Sequence, residues 1–164
     1  GWNLSAPFLD TEEGQWRTTV AVNLLGPMLV TKLCLPAMIR AGGGTIVGVT
    51  SEAAKIGDAG NAAYAAAKAG TIGYTRTWAR ELAAHGVTVN AVAPGPGATE
   101  LFKRNHPEGS DKLTAVMRNV PLQRGGEPEE IAGPISFLLS DDASYMTGQV
   151  LYVCGGMSVG NGAV

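Results

Sequence analysis

Two short runs decide the fold: Thr45-Ile-Val-Gly-Val-Thr50 and Val87-Thr-Val-Asn-Ala-Val-Ala93. Both are rich in β-branched residues, and apolar side chains fall on both faces of each run. This pattern is typical of strands buried inside a parallel sheet. A shorter run of the same kind, Val150-Leu-Tyr-Val153, follows near the end of the chain. The sequence therefore predicts three buried strands.

The segments around these strands carry helical patterns. Helices are predicted over residues 15–39, 61–84 and 129–139, with short helices on a loop over residues 99–120. Pro27 and Pro36 interrupt the first, so a kinked or split helix is expected. The second is rich in alanine, and Gly86 is expected to end it. Because helices and strands alternate, the strands should be parallel and joined by crossovers, in one α/β unit of about three strands.

Composition excludes several classes of protein. Of the 164 residues, 45% are hydrophobic and 16% are charged, which favours a compact globule over a disordered chain. A net charge of −2 predicts no nucleic-acid surface. Cys34 and Cys154 each lie in an apolar run with no CxxC or Cys/His cluster, so both are expected to be buried free thiols in a reducing cytoplasm, and no metal site is expected. No apolar run approaches the ~20 residues of a membrane helix, so no membrane contact is expected.

The segment Tyr64-Ala-Ala-Ala-Lys68 places a phenol and an ammonium one turn apart on one face of the second predicted helix. A phenol has an unperturbed pKa near ~10, and a neighbouring lysine cation favours the phenolate. Such a tyrosine can exchange a proton with a carbonyl or alcohol oxygen. Taken alone, the pattern also fits an ordinary amphipathic helix face.

Ser51 strengthens the chemical interpretation of this pattern. It lies just past the first predicted strand and 13 residues before Tyr64. Ligands of parallel α/β sheets bind beyond the carboxyl ends of strands, where Ser51 and the segment 94–99 are both expected. A serine hydroxyl there could hydrogen-bond a substrate oxygen and stabilise charge that develops on it. A turn or helix-cap serine is the structural alternative.

These segments together resemble the short-chain dehydrogenase/reductase family. The matching segments are Val22-Asn-Leu-Leu-Gly26, Thr45-Ile-Val-Gly-Val-Thr-Ser51, Tyr64-Ala-Ala-Ala-Lys-Ala-Gly70, Val87-Thr-Val-Asn-Ala-Val-Ala-Pro-Gly95, Pro94-Gly-Pro-Gly-Ala-Thr99, Thr147-Gly-Gln149 and Val153-Cys-Gly-Gly156. They follow the family's order and spacing over nearly the whole chain. The resemblance implies a Rossmann-like parallel sheet with flanking helices, of which residues 1–164 supply the C-terminal part.

The resemblance also implies four catalytic residues. Tyr64 would be the general acid/base, and Lys68 would lower its pKa and bind the nicotinamide ribose hydroxyls. Ser51 would orient the substrate carbonyl. Asn23 would hold a water that links Lys68 to a proton relay, although an asparagine that stabilises a helix kink fits the same position.

The implied cofactor is NAD or NADP, which supplies the hydride. The implied cofactor-binding residues are Tyr64, Lys68, Pro94, Gly95, Ala98 and Thr99. The implied reaction interconverts a ketone and a secondary alcohol, with 3-oxoacyl thioesters or hydroxyacyl-CoA substrates favoured and sugars or steroids left open.

The sequence departs from the family at its beginning. No GxxxGxG or GxGxxG turn follows a strand, and Gly42-Gly43-Gly44 precedes one, which is the wrong context for binding pyrophosphate. The chain begins where the family's Asn-Asn-Ala-Gly motif would end, without an initiator Met, so it is expected to be a cut or processed part of a domain that lacks the glycine loop. Glu52 also stands where a small residue is more usual.

Two functional hypotheses therefore stay open. The first is a cytoplasmic oxidoreductase acting on a small-molecule carbonyl or alcohol substrate. The second is a catalytically inactive truncated fragment that only self-associates or binds a partner. In the family, helices equivalent to residues 15–40 and 61–84 form a subunit interface, so a homo-oligomer, a dimer or tetramer, is expected in either case.

Overall fold

The computed structural model describes residues 3–160, and its elements follow the predicted alternation. The strands are β1 (Gly44–Val49), β2 (Val87–Pro94) and β3 (Val150–Val153). The helices are α1 (Glu13–Val20), α2 (Gly26–Arg40), α3 (Ala53–Ile56), α4 (Ala62–Leu82), α5 (Glu100–Asn105), α6 (Asp111–Met117) and α7 (Pro128–Leu139). The three predicted strands and the short helices of the 99–120 loop are thus confirmed.

The strands form one parallel sheet in the order β1-β2-β3. Its register pairs Gly44 with Val87 in β1 and β2, and Ala91 with Val150 in β2 and β3. Since β2 has a partner on each side, it is the central strand of the described sheet. The predicted class, an α/β fold with a Rossmann-like parallel sheet, is confirmed.

Helices cover both faces of this sheet. Val87 and Val89 pack with Ala79 and Leu82 of α4, with Met38 of α2 against them. Alternate strand residues point to opposite faces, and on the other face Val92 packs with Leu138 of α7. Burial on both sides explains why the strands have continuous β-branched runs and no alternation of polar and apolar residues.

The helix predicted over residues 15–39 is split just before Pro27 and continues through Pro36. A π-helical turn, Ala21–Leu25, separates α1 from α2. Pro27 follows this turn after Gly26, and Pro36 lies inside α2. In a regular α-helix the ring of Pro27 would clash with the Asn23 carbonyl, four residues earlier and inside the π-helical turn. The interruption has the form of an inserted backbone residue, of the kind that often marks functional positions.

Much of the surface of this long helix is apolar and exposed. The large apolar side chains exposed on it are Val22, Leu25, Met28, Leu29, Val30 and Leu33. Cys34 is exposed as well, so the expectation that both thiols are buried is wrong for Cys34 and holds for Cys154. The physical reason is that only part of α2, including Leu35 and Met38, contacts the core, and Cys34 points elsewhere.

By length and composition, the continuous helix Glu13–Arg40 could also cross a membrane. It has 28 residues and a hydropathy of 1.6 in its most apolar window. Within the protein this helix packs on α4, where Leu24 lies so close to Gly70 that a Cβ there would come within 2.9 Å of Leu24 Cδ1. Only 6% of that window is buried, so the contact with α4 uses little of its apolar surface. The expectation that no apolar run approaches the length of a membrane helix is wrong, and the absence of membrane contact stays a prediction.

Gly86 ends the helical segment that contains α4, as predicted. A short 3₁₀ turn, Ala83–His85, follows α4, and Gly86 then adopts a left-handed conformation with φ of 69°. A Cβ at this position would also lie 2.9 Å from the Gly42 carbonyl oxygen. Both the conformation and the close approach require glycine, and together they start β2 beside β1.

Candidate active site

Ser51 lies at the carboxyl end of β1, as predicted, and it is buried. The Thr50 N–H donates to the Val92 carbonyl at 2.8 Å, and the Glu52 N–H donates to the Pro94 carbonyl at 3.1 Å. These two bonds continue the pairing of β1 with β2 as far as Glu52, three residues beyond the end of β1 at Val49. They fix the Ser51 backbone directly beside the start of the 94–99 loop.

The Ser51 hydroxyl is the centre of a small hydrogen-bond network. It donates to Glu52 Oε2 at 2.8 Å and accepts the Ala53 N–H at 3.3 Å. Ser51 also lowers the pKa of Tyr64, against the effect of burial. That Ser51 and Tyr64 act together on a substrate stays a prediction.

Lys68 lies one turn after Tyr64 on α4. Its side chain and its backbone carbonyl are both hydrogen-bonded to residues at the carboxyl end of β1. Its Nζ donates to the Val49 carbonyl at 2.9 Å, while its own carbonyl accepts the Thr50 hydroxyl at 2.7 Å. The ammonium lies 5.7 Å from the centroid of the Tyr64 ring. Burial lowers the pKa of Lys68 below its usual value.

The pKa of Tyr64 moves in the direction opposite to the one expected. Burial raises it above its usual value of 10, and the nearby Glu52 and Asp58 carboxylates raise it further. The hydrogen bond from Ser51 opposes them. The Lys68 ammonium donates its hydrogen bond to the Val49 carbonyl. The Tyr64 phenol is desolvated by burial and lies near the carboxylates of Glu52 and Asp58. Burial likewise raises the pKa of Glu52.

Asn23 lies in the π-helical turn and is almost fully buried, at 2% exposure. Its Nδ2 donates to the Thr19 carbonyl at 3.0 Å, one turn earlier in the helix. The neighbouring Leu24 meets Gly70 of α4, two residues past Lys68. The π-helical turn that contains Asn23 therefore packs against α4.

The loop that follows β2 is held against the end of β3. The Gly95 N–H donates to the Val153 carbonyl at 3.0 Å, and a Cβ on Gly95 would lie 2.7 Å from Cys154 Cα. Further along, the Ala98 N–H donates to the Gly126 carbonyl at 2.8 Å. Thr99 is exposed, and its hydroxyl caps α5 by accepting the Phe102 N–H at 3.2 Å.

The structure thus brings Ser51, Tyr64 and Lys68 to one place and anchors Pro94 beside them through Glu52. Ala98 and Thr99 contact other parts of the loop region, and no described contact joins them to Tyr64. Sequence reasoning did not find the Val49 carbonyl as a partner of Lys68. A backbone acceptor leaves no signal in the residue type, so only the fold could show it.

Comparison with known proteins identifies the family. A family model described as enoyl-(acyl carrier protein) reductase matches residues 1–158. The chain is 46% identical over 143 residues to a 3-oxoacyl-[acyl-carrier-protein] reductase of Synechocystis sp., covering 87% of this chain and 56% of that protein. The chain belongs to the short-chain dehydrogenase/reductase family.

Other relatives within this short-chain dehydrogenase/reductase family differ in the activity they are named for. A (3R)-3-hydroxyacyl-CoA dehydrogenase of Rattus norvegicus is 41% identical over 150 residues, which are 91% of this chain and 57% of that protein. The chain spans a little more than half the length of these curated relatives.

Solved structures of the family have the same fold. A protein from Sinorhizobium meliloti assigned as a short-chain alcohol dehydrogenase superposes with a TM-score of 0.91 at 34% identity, covering 98% of this chain and 63% of that one. A protein from Beutenbergia cavernae assigned as an NAD(P)-dependent gluconate 5-dehydrogenase, with NADP bound at low occupancy, gives 0.91 at 36% identity, covering 97% and 64%.

Proposed function

We propose that the chain carries the proton-transfer half of an NAD(P)-dependent oxidoreductase that interconverts a ketone and a secondary alcohol. The observation that carries the proposal is the position of Lys68, which lies one turn after Tyr64 with its Nζ 5.7 Å from the Tyr64 ring centroid and donates to the Val49 carbonyl at the carboxyl end of β1, two residues before Ser51. The names of the curated relatives favour 3-oxoacyl thioesters or hydroxyacyl-CoA compounds as substrates.

The proposed roles follow from the groups in the site. Tyr64 gives its phenolic proton to the carbonyl oxygen as negative charge develops there, and takes it back in the reverse direction. Ser51 donates a hydrogen bond to the same oxygen and so orients the carbonyl. Asn23 belongs to the same proposal as the residue that would hold a water near Lys68.

The donor set of the site fits the nicotinamide half of NAD or NADP. An ammonium has three donors, and Val49 accepts one from Lys68, which leaves donor capacity for ribose hydroxyls. Tyr64 adds a phenol on the same helix face. Pro94, Gly95, Ala98 and Thr99 would supply the backbone and hydroxyl contacts of the nicotinamide amide. When bound, the cofactor supplies or accepts the hydride.

A fluorescence titration of the chain with NADH and NADPH tests this proposal first. Saturable binding, followed by turnover of ketone or acyl-thioester substrates, is the expected result. Tyr64→Phe should keep cofactor affinity and lose turnover, since it removes only the transferable proton. Substantial activity in that variant would overturn the proton-transfer role.

Lys68→Met is the companion variant. It removes a donor proposed to bind the cofactor and also the charge beside Tyr64, so both cofactor affinity and turnover should fall. If both survive the substitution, the proposed ribose role is wrong. Folded content is checked by circular dichroism in each variant, because Lys68 also binds Val49.

The second candidate function is self-association without catalysis. The observation that favours it is the exposed apolar surface of α2 and its preceding turn. No binding of either nucleotide up to millimolar concentration, together with an oligomeric mass in solution, is the outcome that selects it. A homo-oligomer, a cytoplasmic location and the absence of nucleic-acid partners belong to both proposals.

A further inference from the structure

Glu52 occupies a position in the site for which the proposed reaction gives it no task. It immediately precedes α3, and its N–H donates to the Pro94 carbonyl at 3.1 Å. The residue is half-buried, and its carboxylate Oε2 accepts the Ser51 hydroxyl at 2.8 Å. The carboxylate therefore lies one hydrogen bond away from the oxygen that is proposed to hold the substrate carbonyl.

Two acceptors compete for the proton of Ser51. A serine hydroxyl has one proton to donate. In the structure that proton goes to Glu52, while the Ala53 N–H donates to the Ser51 oxygen at 3.3 Å. In the proposed reaction the same proton goes to the substrate carbonyl. A carbonyl that binds to Ser51 therefore takes a donor away from Glu52.

No other side chain in the described part of the chain takes the place of Ser51 at this carboxylate. Ser51 is the one described side chain that hydrogen-bonds to Glu52, and none of the described ion pairs includes Glu52. The lysines of the neighbouring helices make their contacts elsewhere. Lys68 donates to the Val49 carbonyl, and the Lys55 ammonium lies 5.1 Å from the ring centroid of Tyr152.

A hydroxyl on the carbon next to the substrate carbonyl fits the place that the Ser51 proton leaves. Oxygens on neighbouring carbons can lie about one hydrogen-bond length apart, ~2.8 Å. Ser51 Oγ and Glu52 Oε2 are separated by the same length, 2.8 Å. A 2-hydroxyketone can therefore place its carbonyl on Ser51 and its hydroxyl on Glu52 at the same time. One hydroxyl then replaces another as the donor to the carboxylate.

A substrate without that hydroxyl leaves Glu52 short of a donor. In a 3-oxoacyl thioester, for example, the carbon between the ketone and the thioester is a CH₂ group. A half-buried carboxylate beside a CH₂ group bears the cost of desolvation without a compensating hydrogen bond. Sites that hydrogen-bond a substrate hydroxyl discriminate strongly against analogues that lack it.

We propose that Glu52 is a specificity-determining residue that binds a hydroxyl on the carbon next to the reacting carbon, so that 2-hydroxyketones and vicinal diols are the preferred substrates. The inference rests on the proposed function and selects among its substrates, hydroxylated compounds over plain acyl chains. Binding of the hydroxyl is a property of the chain and can be measured without turnover.

Hydroxyacetone and 2-butanone are a matched pair of probes, because a hydroxyl in one replaces a methyl in the other. Their affinities for the 164-residue chain are measured by ligand-observed NMR, in the parent and in Glu52→Ala. The parent should bind hydroxyacetone about 10- to 100-fold more tightly than 2-butanone, the range expected for a hydrogen bond to a charged group. In Glu52→Ala the two affinities should become nearly equal.

Glu81→Ala is the matched control, because it removes the same side chain from an exposed position on α4 and should keep the preference of the parent. Glu52→Gln provides a second test if Glu52→Ala does not fold. It keeps the shape and an acceptor oxygen but removes the charge, so its preference should be smaller than that of the parent. Equal affinities or no hydroxyacetone binding in the parent, or an undiminished preference in the Glu52 variants, would overturn the proposal.

Turnover with NADH or NADPH then separates this inference from the proposed function. A preference for hydroxyacetone that depends on Glu52, without turnover of either ketone, would support the role of Glu52 and count against the oxidoreductase. Turnover of both ketones with the same ratio of kcat/KM values in the parent and in Glu52→Ala would support the oxidoreductase and overturn the role of Glu52.

Discussion

Arg124 and Glu130 form an exposed ion pair at the start of α7. Arg124 Nη2 donates to Glu130 Oε1 at 2.7 Å, and the Glu127 N–H donates to Glu130 Oε2 at 2.8 Å as part of a capping box. The hydrogen bond from Arg124 first, and that from Glu127 second, lower the pKa of Glu130 to about 2. Two separate donors thus hold one carboxylate ionised.

Removing Arg124 should show how much of the lowering of the Glu130 pKa is due to the Arg124 side chain. In Arg124→Ala the pKa of Glu130 should rise from about 2 towards, but not to, 4.5, because the Glu127 N–H remains. A carboxyl with a lowered pKa stabilises the fold above its unfolded pKa and loses that effect as pH falls. The variant should therefore differ from the parent above pH 4.5 and converge with it towards pH 2.

Carboxyl carbon NMR and urea unfolding at pH 6 and pH 2 measure this. Arg17→Ala removes the same charge from the exposed Arg17–Glu13 pair and should leave the Glu130 titration unchanged. A Glu130 midpoint still near 2 in Arg124→Ala would assign the whole effect to the helix cap.

At the residue level, the sequence predicted that Ser51 ends a strand and that Lys68 lies one turn after Tyr64, but not the direction of the Tyr64 pKa. Ser51 and Tyr64 could be paired because one ends a buried strand and the other lies on the next long helix. The direction of the Tyr64 pKa depends on desolvation and on the orientation of Glu52, which are products of packing. A residue pattern contains neither.

At the level of elements, one closely packed point is Gly95, where the loop after β2 meets the end of β3. A Cβ there would lie 2.7 Å from Cys154 Cα and 2.8 Å from its Cβ, and backbone cannot move aside as a side-chain end can. Gly95→Ala should therefore destabilise the fold by about 1–3 kcal/mol, the usual cost of overpacking.

Urea denaturation measures the loss, and Gly97→Ala in the same loop is its control. The nearest atom to a Cβ at Gly97 is Thr99 Cγ2 at 3.7 Å, an ordinary contact, so that variant should stay near the parent. Equal midpoints for the two variants would mean that the loop moves off β3 at little cost.

The elements themselves were well predicted where local signals agree. The third strand has the predicted bounds, and α4 begins within one residue of its predicted start. These boundaries could be predicted because clear turn residues flank the β-branched and alanine-rich runs. The break in the first helix was expected at Pro27 and Pro36, and the structure has it at Ala21–Leu25, just before Pro27, while α2 continues through Pro36. A π-helical turn uses ordinary helical residues, so its form could not be predicted from the residue types.

On the scale of the whole molecule, the exposed apolar surface of α2 is the strongest reason to expect an oligomer. Leu29 and Leu33 are 58% and 71% exposed one turn apart on this helix. Burying such a stripe against a second copy would stabilise an assembly by about 25 cal/mol for each square ångström of apolar surface covered. The chain should therefore have the mass of a dimer or tetramer in solution.

Leu29→Lys combined with Leu33→Lys should lower that mass towards a monomer, as read by light scattering after size exclusion. Tyr145→Lys is the control, because Tyr145 is fully exposed on a different part of the chain and should not affect assembly. A monomeric parent, or an unchanged mass in the double variant, would contradict the expected interface.

The two bonds that Lys68 makes to β1 have a geometric consequence. The Lys68 ammonium donates a hydrogen bond to the Val49 carbonyl, and the Thr50 hydroxyl donates one to the Lys68 carbonyl. A single residue of α4 is therefore hydrogen-bonded twice to the carboxyl end of β1. Two hydrogen bonds at one residue restrict both the translation of α4 along the sheet and its rotation about its own axis. The orientation of Tyr64, one turn away, therefore depends in part on the buried Thr50, and a substitution of Thr50 is expected to change where the phenol points.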